Sequence, residues 1–119
     1  MQSVFTAEPP DPFTVLEGSN IFLEWSYDLG GGLLRRIEFV EVTSSPTVLI
    51  LEANTFGQTP VFLNRDYIGR LQVNVTATRT SITILGANRT VDSKDYEFDV
   101  VLAPPFLAPS AVTISVQCK

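Results

Sequence analysis

The sequence predicts an all-β fold, a two-sheet antiparallel sandwich, and three observations carry that expectation. Apolar and polar residues alternate at a period of two across 20–27, 33–43, 95–102 and 111–117, as in strands with one face on a core and one in water. Between these runs lie clusters of Gly, Pro, Asn, Asp and Ser, the residues of turns. The stretch Asp92-Ser93-Lys94-Asp95-Tyr96-Glu97-Phe98-Asp99-Val100 shows both features at once. Asp92, Ser93 and Lys94 carry turn chemistry, and Tyr96, Phe98 and Val100 then alternate with Glu97 and Asp99.

Each element follows in order. Pro9, Pro10 and Pro12 separate Val4-Phe5-Thr6 from Phe13-Thr14-Val15; proline cannot donate to a ladder, so residues 3–16 read as an edge strand broken in its middle. Glu17-Gly18-Ser19 is a turn. In 20–27, Ile21, Leu23 and Trp25 alternate with Phe22, Glu24 and Ser26. Gly30-Gly31-Gly32 invites a phosphate-loop reading, but that loop needs a closing Gly-Lys-Ser or Gly-Lys-Thr and a following helix, so a flexible hairpin is expected.

From Leu33 to Thr43, Leu33, Arg35, Ile37, Phe39 and Glu41 fall on one face and Leu34, Arg36, Glu38, Val40 and Val42 on the other, with Ile37 and Phe39 as core pins. Ser44-Ser45-Pro46 turns the chain. In Thr47–Ala53 the alternation fails: Val48, Leu49, Ile50 and Leu51 are apolar on both faces. Either the chain itself covers this strand or its outer face meets a partner. Residues 54–65 are polar and turn-rich, with a short strand expected at Pro60-Val61-Phe62-Leu63. Strands are expected at Tyr67–Val73, at Thr80–Leu85 with Ile82 and Ile84 inward, at 95–102, and at Ala111–Gln117 with Val112, Ile114 and Val116 on one side. Pro104, Pro105 and Pro109 stiffen the loop at 103–110. Phe106 and Leu107 then form either a binding tip at low entropic cost or a lid folded back on the sandwich.

The bulk numbers bound the function. At 119 residues, 45% of them hydrophobic, the chain 1–119 is read as one domain with one core. A net charge of −5 without a basic patch gives no footing for nucleic acid. No apolar run reaches the length of a bilayer span, so direct membrane insertion of these residues is not expected. Met1-Gln2 reads as an initiator added to a mature secreted terminus, or as an ordinary cytosolic start. There is no histidine, which removes the commonest general base and metal ligand. The single cysteine, Cys118, cannot close an internal disulfide; it is inert, a partner for a cysteine in a following domain, or a reactive thiol.

Three features resemble the immunoglobulin variable-type (V-set) domain: Gly18 ahead of an alternating run that reaches Trp25, Arg70 placed 22 positions before Asp92, and Asp92-x-x-x-Tyr96-x-Phe98. The resemblance implies a Greek-key immunoglobulin-like sandwich over nearly the whole chain. In it, the broken first strand leaves one sheet for the other, Tyr96 makes a tyrosine corner, and an Arg70–Asp92 salt bridge caps the bottom. The chain departs from the pattern at both cysteine positions, held by Trp25 and Phe98, at the missing strand C tryptophan, and at the missing strand G glycines. Two packed aromatics are a physical substitute: a disulfide contributes roughly 2–4 kcal/mol, and one fully buried large side chain about 1.5–3 kcal/mol. Trp25, Ile37, Tyr96 and Phe98 are therefore the expected core, with Trp25 filling the volume of the absent strand C tryptophan.

Disulfide-free, membrane-distal V-set domains occur in carcinoembryonic-antigen-related adhesion molecules and in the polymorphic allorecognition receptors of colonial cnidarians. The aromatic pair and the missing tryptophan resemble the second more than the first. The implied function is an extracellular recognition or adhesion module, the membrane-distal part of a type I cell-surface receptor. Its partner would be a protein, and a second copy of itself on an opposing cell fits that reading. The resemblance puts the contact on the outer face of the sheet holding strands G, F, C and C′, with Arg36, Glu38, Val40, Val48, Ile50, Phe106 and Leu107 as the patch.

Two sequons, Asn74-Val75-Thr76 and Asn88-Arg89-Thr90, match the acceptor pattern for N-glycosylation and lie outside that face. No catalytic site is expected, because no histidine or second cysteine is present to activate a nucleophile. The pairs Glu38 with Glu41 and Asp95 with Asp99 read as solvated faces rather than a hydrolase cleft. No clustered Asp/Asn run offers a calcium loop, and no cofactor is expected. The competing classes are a carbohydrate-binding or pilus-type module, which an exposed Trp25 would favour, and a structural spacer, which intrachain cover of 47–53 would favour.

Overall fold

The computed structural model describes residues 4–43, 47–53, 61–62, 67–102 and 109–118. The strands are β1 (Val4–Ala7), β2 (Phe13–Leu16), β3 (Ile21–Asp28), β4 (Leu34–Glu41), β5 (Val48–Ala53), β6 (Val61–Phe62), β7 (Leu71–Val75), β8 (Arg79–Ile84), β9 (Asp95–Leu102) and β10 (Ser110–Gln117), with a short helix α1 (Arg89–Asp92) before β9. They form two sheets, one in the order β1-β3-β8-β7 and one in the order β2-β10-β9-β4-β5-β6. The proline break does what the sequence requires of it: β1 pairs with β3 in the first sheet, and β2 joins β10 in the second. The β2–β10 pairing is parallel; the other pairings are antiparallel. Strand order and the switch are those of a variable-type sandwich, whose larger sheet carries the two extra strands seen here as β5 and β6.

The core lies between the sheets. Ile21, Leu23, Trp25 and Tyr27 of β3 and Ile82 and Ile84 of β8 face Ile37 and Phe39 of β4, Phe98, Val100 and Leu102 of β9, and Val112 and Ile114 of β10, all buried. Trp25 and Phe98 stack across the gap with ring centroids 4.2 Å apart and planes 16° from parallel. Phe39 lies 6.1 Å from Trp25 and stacks on Tyr96 at 5.1 Å. The indole and the phenyl ring thus occupy the bridge between sheets. Burying an indole obliges its N–H to find an acceptor: Trp25 Nε1 donates to Ser110 Oγ at 3.0 Å, and Ser110 Oγ donates onward to Glu8 Oε1 at 2.6 Å.

Four expectations are corrected. Ile50 is not on the outer face: it is fully buried, as is Leu51 beside it. The β4–β5 ladder pairs Phe39 with Leu51 and Val40 with Leu49, leaving Ile50 as an extra residue at a bulge. A bulge puts two consecutive side chains on the core side, and that is why alternation fails there. A second irregularity, between Leu34 and Arg36 in the β4–β9 ladder, turns Leu34 inward and leaves Leu33 77% exposed. Tyr67–Arg70 is a turn, not the start of a strand: Arg70 N donates to Tyr67 O at 2.9 Å, and Gly69 at φ +80° takes the left-handed position that glycine suits. Finally, Glu38 and Glu41 are not a solvated pair. They lie on opposite faces of β4, and Glu41 is buried, with Lys94 Nζ 3.6 Å from its Oε1.

Candidate recognition face

Two polar assemblies flank the core. The first closes the bottom of the sandwich. Asp92 is completely buried, yet each of its oxygens is engaged. Arg70 Nη2 donates to Oδ2 at 2.6 Å and Nη1 to Oδ1 at 3.2 Å, while Asn88 N donates to Oδ2 at 2.7 Å. Arg70 also donates to the carbonyls of Leu85 and Gly86. The hydrogen bond to Asp92 is the main reason its guanidinium is held even more firmly charged than usual. Tyr96 Oη donates to Asp92 O at 3.0 Å, closing the tyrosine corner, and Tyr67 Oη lies 2.7 Å from Tyr96 Oη. Burial, more than any neighbour, pushes the Tyr67 phenol up to about 12 and raises Tyr96 further. Helix α1, which ends at Asp92, exists because Asn88 caps it: Asn88 Oδ1 accepts from Thr90 N at 2.9 Å and Val91 N at 3.0 Å.

The second assembly is the outer face of the six-stranded sheet. Cross-strand register sets three carboxylates in one row, Glu52 of β5 opposite Glu38 of β4 opposite Asp99 of β9. The neighbouring rows hold Arg36 opposite Val101, and Leu49 opposite Val40 opposite Glu97. Like charges directly opposite one another destabilise a sheet. Arg36 Nε relieves one of them, donating to Glu38 Oε2 at 2.7 Å from a side chain still 41% exposed. Asp99 has no such relief. Its Oδ1 is buried and takes no hydrogen bond from the described residues. Its carboxyl is pushed up to about 6, first by burial and then by Glu97 and Glu38.

The expected patch is thus only partly assembled. Arg36, Glu38 and Val40 share this face, but half-buried Val48 pairs with Glu41 and so falls with it on the opposite, core-side face of the sheet. Ile50 has left the patch for the core. Phe106 and Leu107 lie outside the described residues. Sequence reasoning missed Glu52, Leu49, Asp99 and Val101 as members. Asp99 and Val101 were legible from the period of two in β9; Leu49 and Glu52 were hidden by the bulge. Among the described residues, no group of three or more His, Cys, Asp or Glu could hold a metal ion.

Solved structures share this fold. Murine CRIg superposes with a TM-score of 0.80 at 18% identity, over 98% of this chain and 99% of that one. The fold is immunoglobulin-like. A chain from a structure of T cell specificity and activation by the bacterial superantigen toxic shock syndrome toxin-1 matches this immunoglobulin-like domain with a TM-score of 0.74 at 12% identity, covering 93% of this chain and 97% of that one. The ZIG-8 IG1 homodimer matches it with a TM-score of 0.64 at 19% identity, over 96% and 86% of the two chains. No protein-family model matches the sequence, and no curated protein sequence does.

Within the immunoglobulin-like frame the two sequons fall away from the acidic row. Asn74 is exposed on β7, on the outer side of the four-stranded sheet, and Asn88 is exposed at the cap of α1. Trp25 is wholly buried, so it offers no platform for a sugar. Cys118 is exposed, with its Sγ accepting from Arg89 Nη1.

Proposed function

We propose that this chain is an extracellular recognition domain, the membrane-distal part of a type I cell-surface receptor, that binds a second copy of itself through the outer face of its six-stranded sheet. The observation that carries the reading is Asp99, a half-buried carboxylate short of one hydrogen bond, set one row from the half-exposed guanidinium of Arg36. A two-fold contact is isologous. An offset of one row lets Arg36 of each copy approach Asp99 of the other. Five N–H donors allow Arg36 to keep Glu38 while doing so. Val40, Leu49 and Val101 supply apolar area around that exchange. An immunoglobulin-like relative that forms a homodimer, ZIG-8 IG1, supports the same use of the fold.

The test is a charge swap read by sedimentation velocity. Wild type is expected to dimerise, and Arg36→Glu and Asp99→Arg are each expected to be monomeric. An equimolar mixture of the two variants should dimerise again, because one Arg36–Asp99 contact survives and the other is inverted. A wild type that stays monomeric at high concentration, or a mixture that does not recover, overturns the self-binding reading.

A structural spacer is the second reading, and the bulge at Ile50 favours it. That bulge gives the apolar run in β5 an intrachain explanation, so the run no longer calls for a partner. For a spacer, neither charge variant changes the sedimentation coefficient.

A further inference from the structure

The outer side of the four-stranded sheet carries an anomaly. Its register places Glu24 opposite Ser81 opposite Asn74, and in the next row Phe22 opposite Thr83 opposite Gln72. Every residue of these rows is polar except Phe22, which is 53% exposed. Phe22 is thus a lone exposed aromatic ring among the polar side chains of these two rows. The sequon at Asn74 sits on the same face, two strands across and two residues along, a separation of about 12 Å between backbones from ordinary strand spacing and rise.

We infer that Asn74 carries an N-linked glycan whose first sugars lie back across β8 and cover Phe22. The inference rests on the extracellular reading above, since that modification belongs to the secretory route. A sugar ring presents an apolar C–H face that stacks on an aromatic ring, while its hydroxyls suit Thr83, Gln72, Ser81 and Glu24 around it. Asn74 is exposed, and its strand is a sheet edge, with β8 on one side. The chain thereby acquires two unlike sides: a sugar-coated four-stranded sheet and a bare six-stranded one. Asn88 serves as the internal contrast. Its Oδ1 holds the α1 cap, so its replacement disturbs the fold for a reason unrelated to sugar, and Asn74 is the site that can be tested cleanly.

The experiment secretes the domain from insect cells behind a signal peptide and maps glycopeptides by mass spectrometry. Melting temperatures of wild type, Asn74→Gln, Phe22→Ser and the double variant are then compared with the same four proteins made in bacteria. The expected result is a glycan at Asn74 and a fall of about 3 °C on Asn74→Gln in the secreted protein. That fall should shrink to under about 1 °C when Phe22 is already Ser, and it should be absent in the bacterial series. A secreted protein that is bare at Asn74 overturns the inference and leaves the extracellular reading standing. An Asn74→Gln loss that is the same with and without Phe22 overturns the covering of Phe22. A chain that is retained in the cell and unmodified overturns both readings.

Discussion

Two aspartates seven residues apart, Asp92 and Asp99, meet opposite fates. Asp92 is the deeper of the two, with no exposed surface at all, and it holds the bottom of the sandwich together through Arg70, the Asn88 amide and the neighbouring tyrosine corner. Asp99 is only half-buried, yet it is the one left with an unpaired oxygen and a row of carboxylates beside it. Depth alone therefore does not decide whether a buried charge helps a fold. What decides is whether donors of fixed geometry were built around it. Asp92 faces the backbone amide of Asn88 and a guanidinium pinned by carbonyls. Asp99 faces out of a sheet, where none of the described residues supplies a donor to its Oδ1.

The contrast can be broken from either end. The largest expected effect is Arg70→Ala, which strands Asp92 as an uncompensated buried charge; a loss of about 3–5 kcal/mol is expected in urea unfolding. A loss below about 1 kcal/mol would mean that the pair is ornamental and that the capped turn stands without it. Next is Ser110→Ala, which leaves the Trp25 indole N–H buried without an acceptor. About 1–3 kcal/mol should be lost, with Trp25 fluorescence changing in the folded state. If the loss is negligible, the stacked rings alone hold the bridge between sheets and the link to Glu8 is incidental.

The smallest effect runs the other way. Asp99→Asn should stabilise the isolated domain at pH 7.5 by about 1 kcal/mol, a figure already reduced for a carboxyl that is half in water. The sign follows from linkage. The folded carboxyl is raised from 3.8 to about 6, so across that window the folded chain holds a proton that the unfolded chain has released. Stability then falls as pH rises through it. Only well below 3.8 is residue 99 neutral in the folded and unfolded chain alike, and there the variant should match wild type. A destabilising Asp99→Asn would show that Asp99 is satisfied after all, and the comparison with Asp92 would collapse.

Much of this was legible in the residues. The alternation of Tyr96, Phe98 and Val100 against Glu97 and Asp99 gives the register of β9 directly, because side-chain direction along a strand depends only on parity. The placement of Trp25 opposite Phe98 came instead from the resemblance to the variable-type domain, whose two cysteine positions they hold. The prolines at 9, 10 and 12 announced the break in the first strand, and the resemblance implied its change of sheet. What was hidden depends on pairing rather than on local pattern. A bulge is a property of two strands, so the burial of Ile50 cannot be read from β5 alone, and an apolar run there looks the same whether it is wet or bulged. The burial of Glu41 was hidden likewise, because Lys94 reaches it from a distant turn. The cap on α1 was the one local signal overlooked: Asn88 followed by a short polar run is a helix start.

The parallel pairing of β2 with β10 has a mechanical consequence. Strand β10 is flanked on both sides, by β2 and by β9, and its backbone continues from Gln117 to Cys118. Tension applied at that end along the strand must slide β10 past two neighbours together, so the ladder bonds share the load and break as a group. Among the described strands β7 pairs with β8 alone, and a pull across it opens one bond at a time, as a zipper does. Single-molecule traction through Gln117 should therefore need a markedly larger rupture force than traction applied across β7.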